Sequence, residues 1–425
     1  MIISGYQAHC DQTKDRHSNG SGMGVLCLLL LLVLAFVTLA ACGENSATSR
    51  VLYVSALAAD GGDGRTWETA FDHPQDAMDE ARKGDVVWVA QGIYGPRCAD
   101  GSSVVRLVEG VMVLGGFDGS ENSPSQRNHL VNTTVFDGQG TSFHVVMGAD
   151  KAVLDGFTVT GGSATGNIVQ SRYGGTFNGG GMFNAGVSPE IRNCRFTGNE
   201  ALAGGGAIYN EGNAPLIADC VFEYNQADFG GAMENRDAAP TVINSHFKSN
   251  TSRFSGGGIA SFNGAPLFLN DVFSGNRSTY VGGAVLGNAS DAVFTNCSFT
   301  GNRSQAGAGI GMWKGSSAVK NTIFWNNAAG DGTQITDVEG AVEVQYSIIQ
   351  GGYDGTRNLD EDPCFQQEGQ WGPDGHWIDG VYELCSSSPA LDSGTDEGAP
   401  GYDLRYNPRP QSLAHDMGAY ERSGL

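Results

Sequence analysis

Aromatic and guanidinium side chains recur together along the middle of the sequence. Guanidinium groups stack on aromatic rings, and both kinds of group can stack on sugars or anchor a protein partner. Three rings follow one another at steps of 25 and 26 residues, so they would lie side by side if one step were one turn of a repeating structure. We therefore predict a binding ridge, with rings that shield the flank and arginines that solvate it as the alternative interpretation. The binding ridge consists of Phe229, Phe254, Tyr280, Arg253, Arg277 and Arg303.

Paired carboxylates would be expected of a polysaccharide-cleaving enzyme, because glycoside hydrolysis uses two of them at a defined separation. The sequence has no Asp-Asp pair, no Gly-His-Gly and no Arg-Ile-Lys, the motifs of polygalacturonase-like enzymes. It also lacks the Trp-Ile-Asp-His motif of pectate lyases, since the similar residues at 376–379 stand in another order. We therefore assign no catalytic residue, and a lyase or hydrolase with a less recognisable site stays an alternative.

Two acidic loops offer the oxygen ligands that calcium prefers. The first contains Asp60 and Asp63, and the second contains Asp360, Glu361 and Asp362. Neither loop has the spacing of an EF-hand or of the calcium-binding nonapeptide repeat, so solvated turn residues are the other interpretation. Apart from Ca²⁺ in these loops, no cofactor is expected.

The charge of the chain limits its partners. Its 425 residues include 46 Asp and Glu against 24 Lys and Arg, which gives a net charge of -22. Binding to a nucleic-acid backbone needs many cations, so nucleic acid is excluded as the main partner. An acidic polymer would be repelled on average and would need a local basic patch.

The N-terminus has the features of an export signal. An apolar run at 25–41 ends in Leu-Ala-Ala-Cys at Cys42, which resembles the bacterial lipobox. The resemblance implies that residues 1–41 are a lipoprotein signal peptide, that Cys42 is lipidated, and that residues 42–50 link it to the fold. We expect the lipid to anchor the protein in the bacterial cell envelope, at the outer membrane or the cell surface. An uncleaved membrane anchor and ordinary secretion are the alternatives.

A repeat of 25 or 26 residues runs through the centre of the chain. Each copy has a glycine-rich start, and a Phe-x-x-Asn motif whose Phe lies 17 residues further on. Short β-rich runs at this period, with Gly and Asn between them, are typical of one coil of a parallel β-solenoid. In such a stack every repeat position becomes a column. The Phe column is Phe196, Phe222, Phe247, Phe273, Phe299 and Phe324, and the Asn column is Asn199, Asn225, Asn250, Asn276, Asn302 and Asn327.

Folding explains these columns. The Phe column, with an apolar position five residues before it, predicts a continuous interior, and the Asn column predicts an amide ladder that satisfies buried backbone groups. Cys194, Cys220 and Cys297 lie two residues before the Phe, where small stacked residues are a simpler interpretation than metal ligands. Cys364 and Cys385 share a loop-rich region and are the predicted disulfide, while the pairing of the other cysteines stays open.

The regions on either side of the repeat predict caps. Residues 51–103 hold the N-terminal cap and first coil, with Met78 and Ala81 on one face of a short helix that would cover the open end of the solenoid. Residues 104–350 are assigned to the β-helix, and residues 351–425 to an irregular C-terminal cap. The predicted fold class is all-β, a parallel β-helix of about 25 residues per coil.

The alternation of Gly-Gly-Ala and Phe-x-x-Asn resembles the repeats of the chlamydial polymorphic outer-membrane proteins. RTWETAFDHPQDAMDEARKGDVVWVAQGIY, NLDEDPCF, SPALDSG, YNPRP and DMGAYE are similar to the flanks of the choice-of-anchor Q group. These resemblances imply a right-handed parallel β-helix displayed at a cell surface. We expect an adhesin-like binding scaffold for a glycan or a host or cell-surface protein. A polysaccharide lyase or hydrolase and a structural envelope protein are the alternatives.

Overall fold

The computed structural model describes residues 49–98, 102–166 and 177–422. The predicted signal peptide, Cys42 and most of the predicted linker lie outside these residues. Within them, the chain winds through successive coils whose corresponding strands pair in parallel and form four long sheets. The predicted all-β parallel β-helix is confirmed. Among these residues, no helix has the length and apolar character needed to cross a membrane.

One coil visits the four sheets in a fixed order, and we number the sheets from the glycine start. In the coil that begins at Gly205, sheet 1 contains Ile208–Glu211, sheet 2 Leu216–Ala218, sheet 3 Val221–Glu223 and sheet 4 Gln226–Phe229. Because such strands are short and tight turns separate them, the sequence shows neither a helical period nor long strand alternation.

Sheets 1 and 2 form two of the long faces. Sheet 1 consists of Val105–Arg106, Val146–Met147, Met182–Ala185, Ile208–Glu211, Met233–Arg236, Ile259–Gly264, Val285–Ser290, Ile310–Trp313 and Ile335–Val338. Sheet 2 consists of Val51–Val54, Val86–Ala90, Met112–Phe117, Val153–Asp155, Glu190–Arg192, Leu216–Ala218, Thr241–Ile243, Leu267–Leu269, Val293–Thr295, Ser316–Lys320 and Ala341–Gln345.

Sheets 3 and 4 complete each coil. Sheet 3 consists of Gly92–Tyr94, Thr134–Asp137, Phe157–Thr160, Arg195–Thr197, Val221–Glu223, His246–Lys248, Val272–Ser274, Ser298–Thr300, Ile323–Trp325 and Ile348–Ile349. Sheet 4 consists of Ser163–Ala164, Glu200–Ala201, Gln226–Phe229, Thr251–Ser255, Arg277–Ser278, Arg303–Ser304 and Ala328–Ala329. A 3₁₀ turn covers Pro124–Gln126 in the loop after a sheet 2 strand.

Stacked rings fill the interior. Neighbouring members of the Phe column lie 4.5 to 5.2 Å apart between ring centroids, with nearly parallel planes. The apolar column five residues earlier is also fully buried, as Ile191, Val242 and Phe294 illustrate. Because each ring packs on its equivalents one coil above and below, burial of these columns ties consecutive coils together.

The Asn column forms a hydrogen-bonded ladder inside the coils. The Nδ2 atom of Asn250 donates to Oδ1 of Asn276 at 3.0 Å and to the carbonyl of Phe222, in the preceding coil, at 2.9 Å. Its Oδ1 atom accepts from the backbone N–H and from Nδ2 of Asn225. A side-chain amide suits this place because it carries both donors and an acceptor.

A second polar column lies two residues before the Phe column. Cys194, Cys220 and Cys297 occupy it as buried free thiols, and each thiol donates to backbone carbonyls. In other coils the position holds Ser245, which accepts from the N–H of Cys220, and Asp271, which accepts from the N–H of Ser245 at 2.7 Å. The position therefore holds small side chains that link neighbouring coils.

The glycine start of each coil forms the corner between sheet 4 and sheet 1. At Gly230 the backbone has φ of 56°, and a Cβ atom there would lie 2.0 Å from the carbonyl oxygen of Met233. A left-handed conformation and a close backbone approach both favour glycine. This corner explains why the motif returns once in every coil.

A short helix, α1, covers the N-terminal coils. It spans Pro74–Glu80 and begins after His73, whose Nδ1 accepts from the backbone N–H of Gln75. Met78 is 2% exposed and packs in the same core as the first coils, and Ala81 lies partly buried against it. The helix thus covers apolar side chains that would otherwise face water.

The C-terminal segment differs from a simple terminal cap. Tyr353 packs against the end of the core, but the chain then turns back along the side of the solenoid. It reaches Asp219, whose carboxylate accepts from the hydroxyl of Tyr406 at 2.6 Å. Apolar residues on the outer face of sheet 3, Val272 and Ile323, are buried beneath it. That apolar surface gives the physical reason for the return, because it would otherwise face water.

Covalent and ionic contacts hold this returning segment together. Cys364 and Cys385 form a disulfide. Arg409 and Glu421 form an ion pair at 2.8 Å, with side chains 0% and 1% exposed. Two antiparallel strand pairs lie in the same segment, one nested within the other. They join Phe365–Gln367 to Val381–Leu384, and Gln370–Trp371 to Trp377–Ile378.

Candidate binding surface

The three rings of the binding ridge lie side by side near the corner after sheet 4. The centroids of Phe229 and Phe254 are 5.3 Å apart, and those of Phe254 and Tyr280 are 6.2 Å apart with planes 9° from parallel. The N–H of Tyr280 donates to the carbonyl of Phe254 at 2.8 Å, which sets the spacing between these two coils. Tyr280 is 50% exposed and the other two rings are partly exposed. The rings form an apolar strip along the solenoid axis.

The three arginines of the binding ridge do not share one column. Arg277 and Arg303 lie directly opposite each other on neighbouring strands of sheet 4. Arg253 lies in the preceding coil beside the ring row, with its guanidinium carbon 5.0 Å from the ring centroid of Phe254. The structure therefore brings the six residues onto one surface as a row of rings and a neighbouring pair of arginines.

A tryptophan from the C-terminal segment completes this surface, and the sequence analysis missed it. The ring of Trp371 lies 4.2 Å from the guanidinium carbon of Arg303, and its indole N–H donates to the carbonyl of Gly301 at 2.8 Å. The neighbouring Trp377 covers Gly301, where a Cβ atom would lie 2.0 Å from the indole and φ is 65°. Glycine at 301 thus gives the tryptophan pair room to dock.

Two further residues extend the ring row towards sheet 1. Phe262 meets Phe229 edge-on with centroids 5.6 Å apart, and Arg236 stacks over Phe262 at 4.8 Å from its centroid. Arg236 and Phe262 occupy the same outward position of sheet 1 in neighbouring coils. Superimposing the repeats on their glycine starts would have found this position, although its residue type changes from coil to coil.

Glu234 lies beneath this extension and has a shifted pKa. Burial raises the pKa of its carboxyl to about 7, although Nε of Arg236 donates to Oε1 at 2.6 Å. The carboxyl side chain is 1% exposed, and the backbone of Gly204 lies against it. A protonatable acid is therefore present close to the rings, but it is covered from solvent.

Two other carboxylates, those of Asp155 and Glu223, form ion pairs with nearby arginines. Asp155 accepts from Nη2 of Arg127 at 2.6 Å and from Nε of Arg192 at 2.8 Å. Glu223 pairs with Arg195 of the preceding coil. The carboxylate side chains of both clusters are 2% exposed. These buried pairs hold loops and coils in place.

Ser274, His246 and Asp379 come together where the C-terminal segment meets sheet 3. Nε2 of His246 lies 2.8 Å from Oγ of Ser274 and 3.6 Å from Oδ2 of Asp379. A nucleophilic triad needs the carboxylate on the other ring nitrogen and a reachable hydroxyl, whereas both partners here face Nε2 and Ser274 is fully buried. Burial lowers the pKa of His246 to about 4, so the imidazole is neutral at pH 7. Ser274, His246 and Asp379 therefore form a buried polar contact that joins the C-terminal segment to sheet 3.

The acidic residues predicted as calcium candidates stabilise their own turns. Asp63, Asp360 and Asp362 each accept a backbone N–H, at 3.1, 2.9 and 2.8 Å. Asp60 lies on a cleft of about 600 Å³ where Arg97 pairs with acidic neighbours. The cleft is lined by Asp60, Gly61, Gly62, Phe71, Asp72, Asp76, Asp79, Glu80 and Arg97. In the part of the chain that the structure describes, no three His, Cys, Asp or Glu residues come close enough to hold a metal ion.

Two solved structures match this chain at low sequence identity. The pectate lyase Pel9A is 14% identical, with coverage of 89% of this chain and 98% of its own and a TM-score of 0.48. Pectin methylesterase from carrot is 11% identical, with coverage of 75% of this chain and 86% of its own and a TM-score of 0.31. Identities and scores this low say nothing about activity. No curated protein matches the chain.

The repeat region matches a known family description. Residues 180–359 match the model of the "Right handed beta helix region". This segment contains the Phe column, the Asn column and every residue of the binding ridge. Together with the parallel strand order, the match confirms that the fold of this chain is a right-handed parallel β-helix.

Proposed function

We propose that this β-helix is an adhesin-like scaffold that binds a polysaccharide along the binding ridge. The observation that carries the proposal is the row of Phe229, Phe254 and Tyr280, whose rings follow one another on successive coils. Soluble proteins rarely leave a linear array of rings open to water unless it meets a partner. Stacking on sugar faces suits flat, partly exposed rings with guanidinium groups beside them.

A linear polymer fits this geometry better than a compact ligand does. The rings lie on an outer surface and repeat along the solenoid axis, so they offer a series of equivalent contacts. A chain of sugars offers faces that also repeat along its length. Several weak stacking contacts on one polymer then add up to a useful affinity.

The test is a binding screen against polysaccharides and extracellular-matrix proteins with the purified protein and two variants. Phe254→Ala/Tyr280→Ala removes two rings of the binding ridge, whereas Tyr402→Ala removes a ring that is 52% exposed on the C-terminal segment. We expect binding of at least one polysaccharide, about tenfold weaker in the double variant and unchanged in the control. Unfolding midpoints check that all three proteins fold.

Two results would reject the proposal. If the double variant bound as tightly as the parent, the ridge would not be the binding site. If the parent bound nothing on the panel, a structural role in the cell envelope would be favoured for this surface. Binding to a matrix protein through the same rings would keep the scaffold function and replace its ligand.

We further propose that the chain is held at the cell envelope by a lipid on Cys42. The lipobox-like end of the apolar run supports this proposal. In bacterial cells given an alkyne analogue of palmitate, the parent should incorporate label and Cys42→Ser should not. Label in the serine variant, or an unlabelled parent, would contradict it.

A further inference from the structure

Two exposed arginines on sheet 4 keep their positive charge uncompensated. Arg277 and Arg303 face each other on neighbouring strands, and across the described residues neither forms an ion pair with a carboxylate. Strands of a parallel sheet are about 4.8 Å apart, so the two like charges are held close together. Burial and the charge of Arg277 lower the pKa of Arg303. The chain has a net charge of -22, yet no carboxylate of the described residues pairs with these two arginines to relieve the repulsion between them.

Two arginines near this pair show the contrast. Arg253, in the coil before, has its guanidinium 3.7 Å from Asp228. Arg236 is paired with Glu234 at 2.6 Å. Arg277 and Arg303 differ from these two, and from single unpaired surface arginines, because they place two uncompensated cations on neighbouring strands. Such a pair can accept an anion from outside.

Trp371 fixes the orientation of one of these guanidinium groups. Its ring lies 4.2 Å from the guanidinium carbon of Arg303, and its own N–H is tied to the carbonyl of Gly301. When a guanidinium plane stacks on an indole ring, its N–H groups still point outward from the edge of the guanidinium. They can then form the bidentate hydrogen bonds that carboxylate and sulfate groups favour. The stacking also limits the rotamer entropy lost on binding.

We propose that Arg277, Arg303 and Trp371 form an anion-binding site for the acidic groups of an anionic polysaccharide. This inference rests on the proposed function, since the same polymer would run over the neighbouring rings. Arg277 is followed in the same coil by Tyr280, so an acidic group at the arginine pair places the sugar chain at the ring row. The anion is a carboxylate or a sulfate, because each presents two oxygens that one guanidinium can contact in a bidentate hydrogen bond.

The experiment uses three polymers with one backbone: dextran, carboxymethyl-dextran and dextran sulfate. Binding to each is measured for the purified parent, Arg277→Gln/Arg303→Gln and a charge-matched control, Arg82→Gln/Arg357→Gln, which removes two exposed cations elsewhere. We expect one or both acidic dextrans to bind the parent at least tenfold more tightly than dextran. The arginine pair variant should lose at least tenfold in affinity for that polymer, while the control should lose less than threefold.

Two further arms sharpen the result. Arg303→Lys keeps the charge but loses the planar fork, so it should recover only part of the affinity. Added salt should weaken binding of the parent more steeply than binding of the arginine pair variant, because fewer ionic contacts remain to be screened. The acidic dextran that binds better identifies the carboxylate or the sulfate as the preferred group.

Three outcomes would overturn the inference. Equal affinity for dextran and both acidic dextrans would show that the anion plays no part. An arginine pair variant that matches the parent, or a control that falls as far as that variant, would remove the site. Dextran binding that depends on Phe254 and Tyr280 but not on the arginines would leave the proposed function standing while this inference fails. Failure to bind any of the three polymers overturns the inference as well.

Discussion

Buried polar side chains hold the coils of this protein in register. Each asparagine of the ladder exchanges hydrogen bonds with the coil above and the coil below, so removing one amide affects three coils. A buried donor or acceptor left without a partner costs about 1–3 kcal/mol. The Asn column therefore contributes to stability through satisfaction of the backbone as well as through side-chain contacts.

We predict that Asn250→Ala destabilises the protein by about 2–4 kcal/mol. The change removes the acceptor of the Asn225 N–H and the donor to the Phe222 carbonyl. The measurement is the midpoint of guanidinium unfolding, with Asn288→Ala on the outer face of sheet 1 as the matched control. Equal midpoints for the two variants would show that the ladder does not carry this energy.

We predict that Asp271→Asn is more stable than the parent protein and that this difference in unfolding free energy grows as pH rises. Burial raises the pKa of Asp271 well above its ordinary value, and its Oδ2 has no hydrogen-bond partner. Since the folded-state pKa exceeds the unfolded value, the stability from this group is complete below the unfolded pKa of about 4 and is lost as pH rises through the folded pKa. Asparagine cannot ionise, so its advantage should grow with pH to about 1–2 kcal/mol.

The Asp271 prediction is checked by unfolding midpoints at several pH values between about 4 and 9. Asp354→Asn, at an exposed position, serves as the control for loss of one negative charge. A constant difference between parent and Asp271→Asn across this range would contradict a raised pKa.

Among the elements of the fold, the C-terminal segment consists mostly of loops. It contains the buried ion pair of Arg409 and Glu421. Glu421→Ala would leave the guanidinium of Arg409 buried without its partner, which costs about 3–5 kcal/mol. We expect faster amide exchange across residues 360–422, while the strands of sheet 1 stay protected. Glu383→Ala is the control, because its partner Arg405 is 61% exposed and the pair is worth little. Unchanged exchange in Glu421→Ala would mean that other contacts hold the segment.

The repeat made most of the solenoid predictable. A position such as Phe222 returns in every coil, so its environment could be inferred from its equivalents, and the short helix followed from Met78 and its neighbours. The return of the C-terminal segment could not be inferred. The contact from Trp371 to Gly301 spans 70 residues and that from Tyr406 to Asp219 spans 187, and neither recurs with a period. The arginine pair was visible as residues, but its tryptophan partner was not.

At the scale of the whole molecule, a strongly acidic protein displays a local cationic and aromatic surface on one long face. The net charge of -22 repels an anionic polymer at a distance, and solution ions screen that repulsion beyond about 8 Å at physiological ionic strength. Contact with the surface then depends on local groups more than on the overall charge. A bound polysaccharide should therefore lie along sheet 4 and the corner that follows it.

The most direct test of this claim is hydrogen–deuterium exchange of the purified protein with and without the dextran polymer that it binds most tightly. We expect protection in the sheet 4 strands Gln226–Phe229, Thr251–Ser255, Arg277–Ser278 and Arg303–Ser304, and in the loops that lead from them to the next glycine corner. Residues on the outer face of sheet 3, such as Arg195–Thr197, should exchange equally with and without polymer. Protection on sheet 3 or at the cleft beside Arg97, or no protection anywhere, would show that the polysaccharide does not bind along sheet 4.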